Sequence, residues 1–136
     1  MSYAQSAALQ QAIYAALTAH APLTDLLGDA IHDALPDGPL PPLYATLGPE
    51  TARDRSDGTG AGARHDFTVS VVATAAGFHA AKRAAAAICD ALAGPIPPLT
   101  RGRLVGLSFV RAKAARDAEG AARRIDLVYR ARVEDG

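Results

Sequence analysis

Residues 66–93 read DFTVSVVATAAGFHAAKRAAAAICDALA, and the repeat of the apolar residues changes halfway along. From Asp66 to Thr74 they alternate: Phe67, Val69, Val71 and Ala73 share one face, with Thr68, Ser70 and Thr74 mostly on the other. A period of two predicts a strand with one buried side. From Phe78 to Ala93 the spacing stretches to three and four, so that Phe78, Ala81, Ala85, Ile88 and Leu92 form the buried stripe of a helix, which Gly94-Pro95 stops. Downstream the period of two returns twice. Arg103–Ala114 places Val105, Leu107 and Phe109 on one face, and Arg123–Val133 places Ile125, Leu127, Tyr129, Ala131 and Val133 together. Asp117-Ala118-Glu119-Gly120 is the turn of the hairpin they form. Strand, helix and hairpin in this order make one βαβ-type connection.

Upstream, Ser2–His20 predicts an amphipathic helix with Ser2 as its N-cap: Leu9, Ile13 and Leu17 recur every four residues, Ala12 and Ala16 lie beside them, and Gln5, Gln10 and Gln11 occupy other faces. Pro22 restarts the chain into a short helical turn, Leu23–Leu27, which Gly28 ends as a C′ glycine. Ile31–Leu35 predicts a short strand. Pro36–Pro42 is a proline-rich loop that cannot join a central ladder, and Leu43–Leu47 resumes strand-like alternation. Gly48–Ala63 has no periodicity and carries two glycine- and charge-rich runs, so a long mobile loop is expected there, its flexible part at about residues 50–63. The expected fold is α+β: a mixed, mostly antiparallel sheet of about four to five strands with two main helices on one face, in a single domain over residues 1–136.

The chain has 136 residues, 49% of them apolar but only 5% aromatic. Much of the apolar share is alanine, which contributes little burial per residue, so a thin core is expected, with association supplying part of the stability. Net charge is zero, with 14 basic and 14 acidic residues, which argues against a dedicated nucleic-acid binder. The distribution is uneven. Residues 1–62 carry seven acids and two bases, a net of −5; residues 63–100 net +1; residues 101–136 carry nine bases and five acids, a net of +4. An acidic and a basic face that meet between copies would use this asymmetry; scattered, solvated charge is the bland alternative. One cysteine, Cys89, excludes an internal disulfide and a Cys-based zinc site, and reads as a small buried hydrophobe. There is no apolar run of about 18 residues to span a membrane, and the N-terminus lacks a signal-peptide pattern.

No constellation for chemistry emerges. His20, His32, His65 and His79 fall on separate elements without metal-ligand spacing and read as surface or edge histidines. Gly106-Leu107-Ser108-Phe109-Val110 lacks the last glycine of a nucleophile elbow and lies inside a strand. The glycines at 58, 60 and 62 precede a strand, where a phosphate loop needs a helix N-terminus. No catalytic, cofactor-binding or metal-binding residue is expected, and no cofactor; the chain reads as a binding protein and not an enzyme.

The chain resembles the tail terminator (tail completion) family of long-tailed phages and gene transfer agents over most of its length. The likeness rests on the opening helix ending near Leu23-Thr24-Asp25-Leu26-Leu27-Gly28, then Ile31-His32-Asp33-Ala34-Leu35-Pro36 and Pro42-Leu43-Tyr44-Ala45-Thr46-Leu47-Gly48. It continues through the Asp57-Gly58 loop, His65-Asp66-Phe67-Thr68-Val69-Ser70-Val71 leading to the helix at Gly77, and the hairpin around Val105-Gly106-Leu107-Ser108-Phe109 and Arg116-Asp117. Each motif is weakly specific; their order and spacing carry the resemblance. It departs at Ala73-Thr74, where relatives often have an aromatic–Ser pair.

The resemblance implies a hexameric ring capping the head-proximal end of the tail tube, ending tube polymerisation and offering a docking surface to the head connector. Its partners would be other copies of itself, the tail tube protein and the head–tail connector or stopper protein. DNA would pass through the lumen without sequence-specific binding, and no membrane is involved. Assembly would take place in the bacterial host cytoplasm, and the finished place is the neck of the phage-like particle. A ring needs a heterologous interface, one patch complementary to a different patch on the next subunit. Arg53, Asp54, Arg55 and Asp57, with Arg64, are the expected subunit or tube contacts, ordering when a neighbour arrives; the alternative is a solvated loop. Either the final strand, Ile125–Val133, or the strand at Leu43 is expected at a sheet edge, free to pair across the boundary. The competing readings are a head–tail connector (stopper or adaptor) or minor tail protein, a small-ligand-binding or enzymatic α+β domain, and a nucleic-acid module using Arg111, Lys113, Arg116, Arg123 and Arg124.

Overall fold

The computed structural model describes residues 3–56, 61–74, 77–116 and 122–135. Ser2, Asp57 and the turn at residues 117–120 lie outside them. The elements run α1 (Ser6–Thr18), α2 (Ala21–Leu27), β1 (Ile31–His32), β2 (Leu43–Asp54), β3 (Gly62–Ala73), α3 (Gly77–Ala93), β4 (Arg103–Arg116) and β5 (Arg123–Glu134). The five strands form one mixed sheet in the order β1-β2-β3-β5-β4; β1 runs parallel to β2 and the other neighbours are antiparallel. Because β3 and β4 are both antiparallel to β5, they are parallel to each other. α3 is the crossover between them, with β5 inserted in the gap, as the change of period predicts.

α1, α2 and α3 cover one face. Their buried residues, Leu9, Ile13 and Leu17 from α1, Leu23 and Leu27 from α2, and Ile88 and Leu92 from α3, pack on the inward rows Phe67, Val69 and Val71 of β3 and Ile125, Leu127 and Tyr129 of β5. Among the described residues, ten of the 25 members of this buried cluster are alanines, five of them on α3. That is the thin core the composition implies, since an alanine removes little apolar area from water. Phe78 departs from its expected place in the stripe. It is only half-buried, with the Arg123 guanidinium 5.7 Å from its ring centroid.

Three sequence expectations change. The stretch expected to be a mobile loop from 48 onward is strand as far as Asp54 and again from Gly62, with Glu50↔Phe67 through Asp54↔Ala63 in register. Both sides of this part of β2 are polar and mostly exposed, so it shows no apolar period; pairing with β3 makes it a strand. The register shifts between Leu47 and Glu50, which absorbs Gly48 and Pro49. β1 stops at His32, short of Leu35. Last, a register shift between Leu104 and Gly106 takes Val105 out of the inward row, leaving Leu104 and Leu107 to pack on the core. Val105 is 48% exposed.

Gly102 leads into β4 with φ 69°, and a Cβ there would stand 2.6 Å from both the Glu134 carbonyl oxygen and Gln5 Nε2. Only glycine allows that approach.

Candidate assembly surfaces

The residues expected to contact neighbours divide between two faces. Arg53 and Arg64 are directly opposite each other on β2 and β3, on the face without helices. Asp54, the next residue, points to the other side. Its carboxylate accepts hydrogen bonds from the Ser56 hydroxyl (2.7 Å) and backbone N–H (3.2 Å), the first of which does most to hold its pKa down to about 2. Arg55 closes the hairpin through its backbone: its N–H donates to Gly62 O at 2.8 Å, and its carbonyl accepts from Arg132 at 3.4 Å. Asp57 lies outside the described residues. The structure therefore brings Arg53 and Arg64 together and gives Asp54 a local turn-forming role.

Next to this hairpin lies a buried polar knot that sequence reasoning missed. His65 is fully buried, not at a surface or an edge, and its Nδ1 is 3.1 Å from Glu50 Oε2. Glu50 Oε1 accepts the Tyr3 hydroxyl and, at 2.7 Å, the Ser6 hydroxyl. Burial pushes the Glu50 carboxyl up, but the hydrogen bonds from His65, Tyr3 and Ser6 outweigh it and hold the group below its ordinary value. Gln5, also fully buried, donates to Asp135 Oδ1 at 2.9 Å. The knot ties the start of α1 to β2, β3 and the end of β5. A signal for it was present: His65 is in phase with Phe67, Val69 and Val71, and so belongs to the inward row.

A carboxylate beside an imidazole could work as an acid–base pair, but only with room for a substrate. Glu50 lines a cavity of about 30 Å³ between Leu9, Ile13 and Phe67 and an open groove of about 220 Å³, but His65 is fully buried and lines neither. No group of three metal-ligating side chains occurs among the described residues, and no described helix is long and apolar enough to cross a membrane.

The unused surfaces are the two edges of the sheet. β4 forms one edge for 14 residues and is exposed along most of its length, with Val105, Phe109 (52% exposed) and Val110 turned to solvent. β5 is not an edge, since it lies between β3 and β4. At the other side β1 covers β2 only at Ala45 and Thr46, so the rest of β2 is a second edge. Beside it, α1 and residues 31–34 frame a groove of about 840 Å³ containing two exposed tyrosines, Tyr3 and Tyr14.

Two unlike edges bearing exposed apolar and aromatic side chains, with no reaction centre among the described residues, are the features of a subunit made for association. Comparison with known proteins says which kind. Residues 11–134 match the family model described as tail completion protein gp17, and the chain belongs to that family. No curated protein matches it. Among solved structures it is similar to a chain described as "Virion of native gene transfer agent (GTA) particle", with 57% identity and a TM-score of 0.91 over 98% of this chain and 99% of that one. It is a structural protein of a phage or gene-transfer-agent tail.

Proposed function

We propose that the chain is a tail terminator: a subunit of a hexameric ring that caps the head-proximal end of the tail tube, ends its polymerisation and joins it to the head connector. It catalyses no reaction. The observation that carries this reading is the asymmetry of the sheet. Its two ends carry different unpaired edges, β4 with Val105, Phe109 and Val110 on one side and β2 with the tyrosine groove on the other. A patch that meets a different patch on the next copy is a heterologous contact, which closes into a ring when the rotation allows. Strand edges offer main-chain hydrogen bonds for such a contact, and apolar side chains its centre.

The partners are further copies of the chain, the tail tube protein and the connector or stopper protein. The ring forms in the host cytoplasm and ends in the neck of the particle, with DNA passing through its lumen. Arg53, Asp54, Arg55, Asp57 and Arg64 contact the adjacent subunit or the tube. A stable ring buries about 800 Å² per partner or more at each contact.

The test is solution mass, alone and with polymerising tube protein, together with images of the tubes. A hexameric ring, or monomers that gather at one tube end and halt growth, supports the reading; a chain that ignores the tube removes it. Charge reversal of Arg53 and Arg55 to Glu is expected to weaken ring assembly or capping. Wild-type capping by that variant would leave these two arginines without this role.

A further inference from the structure

We propose that the helix-free face of the sheet binds the phosphate backbone of double-stranded DNA without reading its sequence. The alternation of the strands sorts charge by face. β5 places Arg124, Arg130 and Arg132 on the open side, β4 adds Arg111 and Lys113, and β2 and β3 contribute Arg53 and Arg64. β4 also places Arg103 there, opposite Glu134 of β5, so that eight cations stand against three carboxylates, Asp66, Asp126 and Glu134, on this face of the described strands. A chain of zero total charge thus presents one face with a net of +5.

All three carboxylates are already engaged, Glu134 with Arg103. Asp66 pairs with Arg130 (2.9 Å) and lies 3.8 Å from Arg64, while Asp126 accepts from Arg124 (2.9 Å) and from Ser70 (2.6 Å). Arg53, Arg111, Lys113 and Arg132 have no ion pair among the described residues. One rung is unusual. Arg53 is opposite Arg64, and Arg64 is opposite Arg132, which sets three arginines side by side on adjacent strands. Like charges in directly opposed positions destabilise a sheet; Asp66, which also serves Arg130, offsets this only in part, and an anion lying across the rung would relieve the rest. Arg64 Nε is buried and has no hydrogen-bond partner.

The composition of the face selects the kind of anion. An acidic protein partner would be held by an aromatic or aliphatic centre within the contact. Here the apolar group Tyr44, Val72, Ala30 and Ala122 lies buried at one end, and the middle of the face offers Pro49 and the half-buried Val128, with no aromatic ring among the described residues there. Two shallow grooves, of about 220 and 180 Å³, both touch Val128 and also share Pro49, Thr68 and Arg111. Charge on a flat polar surface is what a phosphate backbone needs, because phosphate contacts carry affinity without sequence information. In the proposed ring this face would turn to the channel. That placement rests on the ring reading; the binding does not.

The test is fluorescence anisotropy of labelled duplexes of about 30 base pairs with the purified full chain at low salt, where a few phosphate contacts give measurable affinity. Two unrelated sequences are expected to bind alike, with log K falling against log salt at a slope of about −3 to −4, for about four neutralised phosphates. The triple variant Arg111→Gln, Lys113→Gln, Arg132→Gln is expected to lose at least about tenfold in affinity and most of the slope. A charge-matched control on the helical side and the loop before β4, Lys82→Gln, Arg83→Gln, Arg101→Gln, is expected to bind as wild type. Thermal melting checks that both variants fold. Absence of binding at low salt overturns the proposal, as does equal loss in the control or tighter binding of polyglutamate than of DNA at matched charge. The last result would assign the face to an acidic protein. Because the readout uses the purified chain and no tube, its failure is distinct from failure of the ring reading.

Discussion

β4 and β5 belong to one hairpin and have similar lengths, yet they behave as different kinds of strand. β5 alternates between buried and partly exposed residues from Ile125 to Val133, whereas β4 is exposed along most of its length. Their sequences do not differ enough to account for this; both carry apolar residues and arginines. The cause is position. β5 is held between β3 and β4, with α3 packed over it, and β4 has a neighbour on one side only. Apolar residues on an interior strand hold the fold, while those left on an edge are available to a partner.

The largest expected effect is on β5. Leu127→Ala removes a buried side chain from the inward row and should cost about 2–5 kcal/mol in denaturant unfolding, more than any single change on β4. Next is the polar knot that closes the β2–β3 end. Glu50→Gln removes the charge that accepts from Tyr3 and Ser6 and faces His65, and should cost about 1–3 kcal/mol by the same measurement.

The same carboxylate gives a pH dependence. Its pKa in the folded chain lies below the ordinary 4.5, and that of Asp66, held down first by the hydrogen bond from Arg130, lies below 3.8. Unfolding raises both, so the unfolded chain binds more protons in acid. Their stabilising contribution is present above these ordinary values and is lost as pH falls through the folded ones. Melting temperature should therefore hold steady down to about pH 5 and drop below it, and Glu50→Gln should flatten that drop.

The smallest expected effects on stability are on β4, and they sharpen the comparison most. Phe109→Ser loses an edge-to-face contact with the Tyr129 ring, at a centroid distance of 5.7 Å, worth about 0.5–1.5 kcal/mol besides its exposed area. Val110→Ser should change stability by about 0.5 kcal/mol or less. If β4 is an assembly edge, both variants should remain folded yet fail to form rings or cap tubes; normal assembly by both would make the exposed apolar residues incidental.

The sequence was informative wherever burial is one-sided. α3, β5 and the first part of β3 each have one buried face, and their periods of two and of three to four gave their type, order and most of their inward residues, with Phe78 and His65 the exceptions. Where neither face is apolar, no period exists to be read. The outer half of β2, Glu50–Asp54, is a strand because β3 hydrogen-bonds to it, and a local reading could only make it a loop. Val105 dropped out of its expected row because a single extra residue changes the facing of its neighbours, and the cause lies in pairing with β5.

The sequence alone therefore determined the α+β class, the inward rows of its most regular elements and the likeness to tail terminators, because one-sided burial and motif order are written along the chain. Which strands are edges, the joining of His65 to Glu50 and the gathering of cations from four strands onto one face were decided only by the tertiary structure. They depend on residues far apart in the chain meeting across the sheet.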